Sequence, residues 1–427
     1  MEVIDQTTIT KRILTKSIAQ RVASNFGWSV VSEGIGKGVS FITNIYLART
    51  LGVENFGLFT LAQTITFYLW LAVDLGTSMY GIREIAKNKE HAEDIINPLF
   101  TLRITAGLVV FSIYVSSLFF FNMPMTNKLT FAGCGLYFLT YAFYSDWVFK
   151  GLEKFKYMAF GSFIFSMVFL MGTIYLVKGS SDVISASFVW SISYFFGSTS
   201  LLYFLYRKLS IKYKPCFNFK IFFLHLRESI YFMISGSLML IYHYLPILFL
   251  SVFFTNHEVG LFAAPFRVVL TIGSAGFLLP SAFYPVLAEI YLNNTENFKI
   301  THKSLQIVMV TLGVSIAIVG AILGENIIIK LFGSEYVSST RVFKIIIWLI
   351  PLYFIRYSFG SVILATGFQR WHNLATFTGV VFMVISSSLL IPKFNLIGAS
   401  LSLLIAETAL VLSMSMISRS KVYGEFE

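Results

Sequence analysis

Short polar or turn-forming interruptions cut this chain into twelve apolar stretches, each long enough to cross a membrane. A crossing helix needs about 20 mostly apolar residues. The stretches run over 25–47, 57–78, 98–121, 129–148, 157–177, 183–206, 229–254, 261–287, 304–323, 342–365, 373–391 and 396–418. Pro98, 122–124, 179–182, 256–260, 293–297, 324–326, Gly367 and Pro392 punctuate them. Only 12% of the 427 residues are charged, about half the share in soluble domains. A soluble enzyme, a disordered chain, a collagen and a secreted disulfide scaffold are all excluded. The net charge of +11 fits the cytoplasmic bias of membrane proteins, not nucleic-acid binding. Cys134 lies in an apolar run and Cys216 in a basic loop, so no disulfide is expected. The six scattered histidines form no metal-ligand spacing, and no cofactor motif is present.

Charge gives the topology. With the N-terminus in the cytoplasm, 21 Lys and Arg fall in cytoplasmic loops and termini, 7 on the outer side, and 4 inside spans. This three-to-one bias places both ends in the cytoplasm. The basic residues 1–24 read as an amphipathic arm lying in the interface. Residues 207–228 form the longest loop and divide an N-lobe, 25–206, from a C-lobe, 229–418, leaving 419–427 as a tail. The lobes share a signature: LARTLGVENFGLF at 47–59 and LSVFFTNHEVGLF at 250–262, with Gly57 aligned to Gly260 and Ser78 to Ser281. The expectation is an all-α polytopic membrane protein of about 12 transmembrane helices, in two six-helix lobes around a central cavity. Substrate sites of repeat-built transporters lie between the repeats.

Charges inside spans are costly and mark function or pairing. Here they are Glu33 and Lys37 in span 1, Asp74 in span 2, Arg103 in span 3, Arg267 in span 8, Arg356 in span 10 and Glu407 in span 12, with His243 in span 7. Lys37 and Arg356 fall near mid-span. At about 1.5 Å per residue, Arg267 lies roughly 10 Å into the outer half and Arg103 a similar distance into the inner half. Together they read as a cationic ladder, and the planar guanidinium fork suits phosphate. Lys37, Arg267, Arg356, Arg103 and His243 are therefore the candidate substrate-binding residues. Glu33, Asp74 and Glu407 are candidates for ion coupling or for structural pairing; Glu33 and Lys37, four apart, share a helix face. Three prolines, Pro265, Pro280 and Pro285, mark span 8 for a bend. No catalytic residue set, Walker-type loop or sizeable outer loop supports an enzyme.

The segments NIYLARTLGVENFGLF at 44–59 and VDLGTSMYGIREIAK at 73–87 resemble the start of the polysaccharide-biosynthesis flippases, in the multidrug/oligosaccharidyl-lipid/polysaccharide exporter superfamily. The nearest type is the O-antigen flippase. Asp74 and Arg83 match its D-x-G and R-x-I-A positions. The resemblance implies spans 1, 2, 7 and 8 lining the cavity. It also implies alternating access that carries an undecaprenyl-diphosphate-linked oligosaccharide from the cytoplasmic to the periplasmic leaflet of a bacterial inner membrane. On the same resemblance, cavity cations are expected to hold the diphosphate, Tyr and Trp to stack on sugar, and the chain to act as a monomer beside a polymerase and a chain-length regulator. A drug/cation antiporter of the same fold would need an acidic cavity, and a polysaccharide polymerase would need a large outer loop.

Overall fold

The computed structural model describes residues 6–293 and 295–424, and among these there is no strand. The N-lobe is built from α1 Gln6–Asp74, α2 Thr77–Lys87, α3 Ala92–Ser117, α4 Met125–Gly135, α5 Tyr137–Ala142, α6 Asp146–Gly151, α7 Phe155–Leu176 and α8 Val183–Leu209. The C-lobe is built from α9 Phe219–Phe253, α10 Asn256–Ala275, α11 Leu278–Asn293, α12 Thr295–Phe332, α13 Ser339–Ile346, α14 Leu349–Ala365 and α15 Gln369–Ile417. Eight helical stretches among the described residues are each long and apolar enough to cross a membrane. The fold is the all-α membrane architecture expected, with the twelve crossings cut differently from the sequence reading.

Backbone conformation explains the difference. Helix α1 contains spans 1 and 2, reversed at Gly52 with φ 72° and ψ 175°, a region open essentially only to glycine. Helix α15 contains spans 11 and 12, reversed at Asn395 with φ 49°. Span 2 is broken at Leu75 and Gly76, both at positive φ, and span 4 is divided among α4, α5 and α6. Span 8 is interrupted between α10 and α11, with Pro280 in the first turn of α11, where its missing N–H costs no helical bond. Residues 6–24, read as a separate arm, continue the helix of span 1. The loop read at 207–228 shortens to 210–218, because α8 runs to Leu209 and α9 starts at Phe219.

The crossings alternate between two faces. One carries the reversals at Gly52 and Asn395; the other carries the turn at Gly367 and the 210–218 linker. Near the Gly52 face the lobes meet where α1 crosses α10, and the crossing is reciprocal. A Cβ on Gly57 would overlap the Asn256 carbonyl oxygen, and a Cβ on Gly260 would overlap the Val53 carbonyl oxygen. Asn256 and Gly260 stand at the repeat positions of Val53 and Gly57, so a pseudo-twofold axis passes between the two helices. Three more hydrogen bonds close this face. Arg49 donates to the Lys330 and Leu331 carbonyls at the C-terminus of α12, and the Tyr336 hydroxyl donates to the Ala48 carbonyl at 3.1 Å. At the Gly367 face, α2 packs on α9: the Tyr80 hydroxyl is 2.9 Å from His225 Nδ1, and Arg83 lies 3.8 Å from Glu228.

The closure at the Gly52 face gives two graded predictions with one reporter. Gln63 lies beneath it and is 5% exposed. In a Cys216→Ser background, Gln63→Cys is expected to react slowly with an impermeant thiol reagent applied at the Gly52 face. Adding Gly57→Ala forces the crossing apart. Overpacking costs about 1–3 kcal/mol, so labelling should rise by roughly tenfold or more. Arg49→Ala removes an exposed cation, with its two bonds to carbonyls at a helix C-terminus, an interaction worth about 0.3–1 kcal/mol, and should raise labelling roughly two- to fivefold. Gly179→Ala, where a Cβ meets nothing within 4 Å, should change nothing. Equal labelling in all four proteins would remove the gate from this crossing.

Candidate functional site

Four cavities share lining residues: two lie between the lobes, and one lies within each lobe beside them. The first, about 200 Å³, is lined by Ser40, Asn44, Thr60 and Gln63 of α1, by Phe165 of α7 and Tyr194 of α8, and by Arg267 and Leu270 of α10. A second, about 300 Å³, adds Lys37, His243, Tyr353 and Arg356 and shares Leu270 with the first. A third, about 330 Å³, is lined by Lys37, Ser40, Tyr141, Tyr144, Asp146, Lys150, Phe165 and Tyr194. A fourth, about 700 Å³, opens from Arg356 and Tyr357 toward Gln369 and His372. Lys37 thus belongs to two of these spaces, and Ser40 and Leu270 join both of them to the chamber of Arg267. The larger groove at Lys89, Asp94 and Glu153, about 830 Å³, lies on the surface of the N-lobe, apart from the buried charges.

Arg267 is held by neutral oxygens. Its guanidinium donates to Asn44 Oδ1, to Thr60 Oγ1 at 3.2 Å and to Gln63 Oε1 at 2.7 Å, and it stacks over Phe56 at 5.3 Å. Its positive charge is therefore oriented across the lobe interface by dipoles and is not cancelled by them. Asn44, Thr60 and Gln63 were not picked out from the sequence. Thr60 and Gln63 do sit three apart, the spacing of one helix face, and that pattern was the available signal. Arg356 differs from Arg267. Its Nε is 2.7 Å from Glu407 Oε1, out of line for a hydrogen bond, and its guanidinium lies over Tyr353 and Tyr357 at 5.1 and 4.9 Å. Glu407 is fully buried and also accepts the Tyr242 hydroxyl. His243 packs edge-on to Tyr242 and Tyr353, and its buried Nδ1 has no partner.

Arg103 does not extend the ladder. It is 0% exposed, lies 3.7 Å from Asp74 and donates to Ser78 Oγ at 3.2 Å. Its guanidinium packs over Tyr141 and Trp147, and it lines none of the four cavities. Asp74, which also accepts the Ser78 hydroxyl, is the matching half of this internal pair. In this structure Arg103 is engaged inside the N-lobe, where the buried carboxylate of Asp74 needs a cation. The side chain of Glu33 lies outside the described residues. Lys37, Arg267, Arg356 and His243 are brought to one connected space.

Residues 22–291 match the family described as polysaccharide biosynthesis protein. The chain belongs to that family. Among relatives, it is 25% identical over 421 residues to a provisionally named O-antigen transporter of Escherichia coli (strain K12), covering 93% of this chain and 96% of that protein. A protein of the same name from Shigella dysenteriae is 26% identical over 256 residues, 58% of this chain and 63% of that protein. The fold is similar to that of the lipid II flippase MurJ in an inward closed conformation, with TM-score 0.74 and 15% identity over 92% of this chain and 87% of that one. An inward-facing multidrug resistance MATE transporter gives TM-score 0.73 and 13% identity over 92% and 98% of the two chains.

Proposed function

We propose that this chain is a flippase that carries an oligosaccharide linked to undecaprenyl diphosphate from the cytoplasmic to the periplasmic leaflet of a bacterial inner membrane. The observation that carries the reading is the uncancelled charge of Arg267, set in a chamber joined to those of Lys37 and Arg356. A diphosphate supplies oxygens in place of the amide and hydroxyl oxygens that hold Arg267, and the exchange turns neutral hydrogen bonds into charge-assisted ones, roughly twice as strong. A cation-exporting antiporter is disfavoured by the same geometry, since Asp74 and Glu407 both face arginines. In the proposed orientation both termini are cytoplasmic, so the Gly52 face is periplasmic and the closed crossing of Gly57 and Gly260 seals the cavity from that side. Rocking of the two lobes about this contact then exchanges access between leaflets. The names of the bacterial relatives support O-antigen or a related repeat unit as cargo.

The test is made on the cargo. A deletion strain should accumulate its lipid-linked repeat unit with the saccharide on the cytoplasmic side, protected from an oxidising reagent added to the periplasm. Restoring the chain should return the saccharide to the periplasm within minutes. A deletion strain that shows periplasmic saccharide at the wild-type rate would refute the reading.

A further inference from the structure

The two walls of the cavity differ in chemistry. The cations Arg267 and Arg356, with His243, come from C-lobe helices α10, α14 and α9. The facing N-lobe wall carries Lys37 of α1 and the Lys150–Asp146 pair of α6, and is otherwise aromatic and hydroxylated. Its centre is Tyr194, which packs on Phe165 with ring centroids 4.2 Å apart and edge-on to Tyr137 and Trp190 at 4.8 and 5.6 Å. Tyr137 and Trp190 are themselves stacked at 5.0 Å and 11°. They are 4% and 3% exposed and brace Tyr194, Trp190 also bordering the 200 Å³ chamber, whereas Tyr194 and Phe165 are only half-buried and line both the 200 and the 330 Å³ chambers. Ser40 runs along the same two chambers, and Ser162 lines the larger. At its end, Asp146 holds Lys150 at 2.7 Å.

Away from Lys37, this wall offers ring faces, hydroxyls and a carboxylate already paired with Lys150, which are of little use to a phosphate. They match a saccharide, whose C–H face packs on an aromatic ring while its rim of hydroxyls needs donors and acceptors. The backing rings also lower the entropy lost on binding, because Tyr194 has few conformations left to lose. Resting on the flippase reading above, we propose that the N-lobe wall is the saccharide subsite, with Tyr194 and Phe165 beneath sugar rings and Asp146 at the distal hydroxyls. The C-lobe cations, with Lys37 at the junction of the chambers, take the diphosphate. Choice among repeat units therefore resides in α6, α7 and α8, apart from the cationic residues common to any polyprenyl-diphosphate cargo.

The experiment uses the full chain in nanodiscs and three probes: polyprenyl diphosphate, the lipid-linked oligosaccharide pool from the deletion strain, and the oligosaccharide released from that pool by mild acid. Tyr194→Leu keeps bulk but removes the ring face; Tyr194→Phe keeps the ring. Tyr194→Leu is expected to weaken the intact pool at least tenfold and to end competition by released oligosaccharide. Polyprenyl diphosphate should bind within twofold of wild type, which also reports that the variant is folded. Tyr194→Phe should stay within threefold on all three probes. If Tyr194→Leu fails to fold, Phe165→Leu carries the same comparison. Equal losses for polyprenyl diphosphate and the intact pool, or no loss for either, overturn the subsite alone. Failure of the wild-type chain to bind the intact pool overturns the flippase reading, and this one with it.

Discussion

Arg267→Ala is expected to stop polymer export while leaving the protein folded and in the membrane. The partners of Arg267 are an amide, a hydroxyl and a second amide, so its removal strands no buried charge and the cost to stability should be small. The cost to binding should be large. Hydrogen bonds to charged groups contribute about 1.5–3 kcal/mol each. Losing the two from one fork amounts to roughly a hundredfold or more in affinity for a diphosphate. Arg267→Lys restores charge without the planar fork and should recover only part of this, leaving roughly a tenfold deficit. Two measurements check it: polyprenyl diphosphate binding in nanodiscs, and the ratio of lipid-linked repeat unit to finished polymer in cells. Wild-type affinity in Arg267→Ala would remove the diphosphate from this site.

Counting along the sequence gives the embedded charges an expected height, but not a direction. Counting residues from the span ends places Arg103, Lys37, Arg356 and Arg267 at different depths, but a helix in lipid is apolar on nearly every side. Its pattern therefore does not tell a cavity-facing arginine from one turned into its own lobe. Arg103 turned inward to Asp74, a partner on a neighbouring crossing. The repeat was more legible. Aligning Gly57 with Gly260 on a shared Gly-Leu-Phe anticipated two equivalent positions, and the fold uses them as the two halves of one close crossing. Local breaks were less so. The segments of span 4 and the helical start of α9 depend on packing and on backbone torsions such as those at Leu75 and Gly76, which leave weak compositional marks. The N-lobe aromatic wall was invisible for the same reason as the direction of Arg103. Phe165 and Tyr194 belong to different crossings, and nothing in either segment names the other.

Arg356 and Glu407 pose the sharper question, because an ion pair that also borders a cavity can be structural, functional or both. Breaking a buried pair from one side typically costs about 3–5 kcal/mol, whereas replacing both members by apolar groups is often neutral. Glu407→Ala is therefore expected to lower the melting temperature and the yield of purified protein sharply, leaving Arg356 charged among Tyr242, Tyr353 and Tyr357. The double variant Arg356→Met/Glu407→Leu should recover most of that stability. Its transport separates the roles. If Arg356 contacts the diphosphate across the chamber it shares with Lys37 and His243, the stable double variant still fails to flip cargo, and its affinity for polyprenyl diphosphate falls at least tenfold. Wild-type transport in a stable double variant assigns the pair to packing of α14 against α15, as with Arg103 and Asp74 in the N-lobe. The diphosphate site then contracts to Lys37 and Arg267. Because Arg267 keeps its charge uncancelled while Arg356 has a carboxylate at 2.7 Å, Arg267 should dominate the binding energy in either case, and Arg356→Met/Glu407→Leu should lose less affinity for polyprenyl diphosphate than Arg267→Ala.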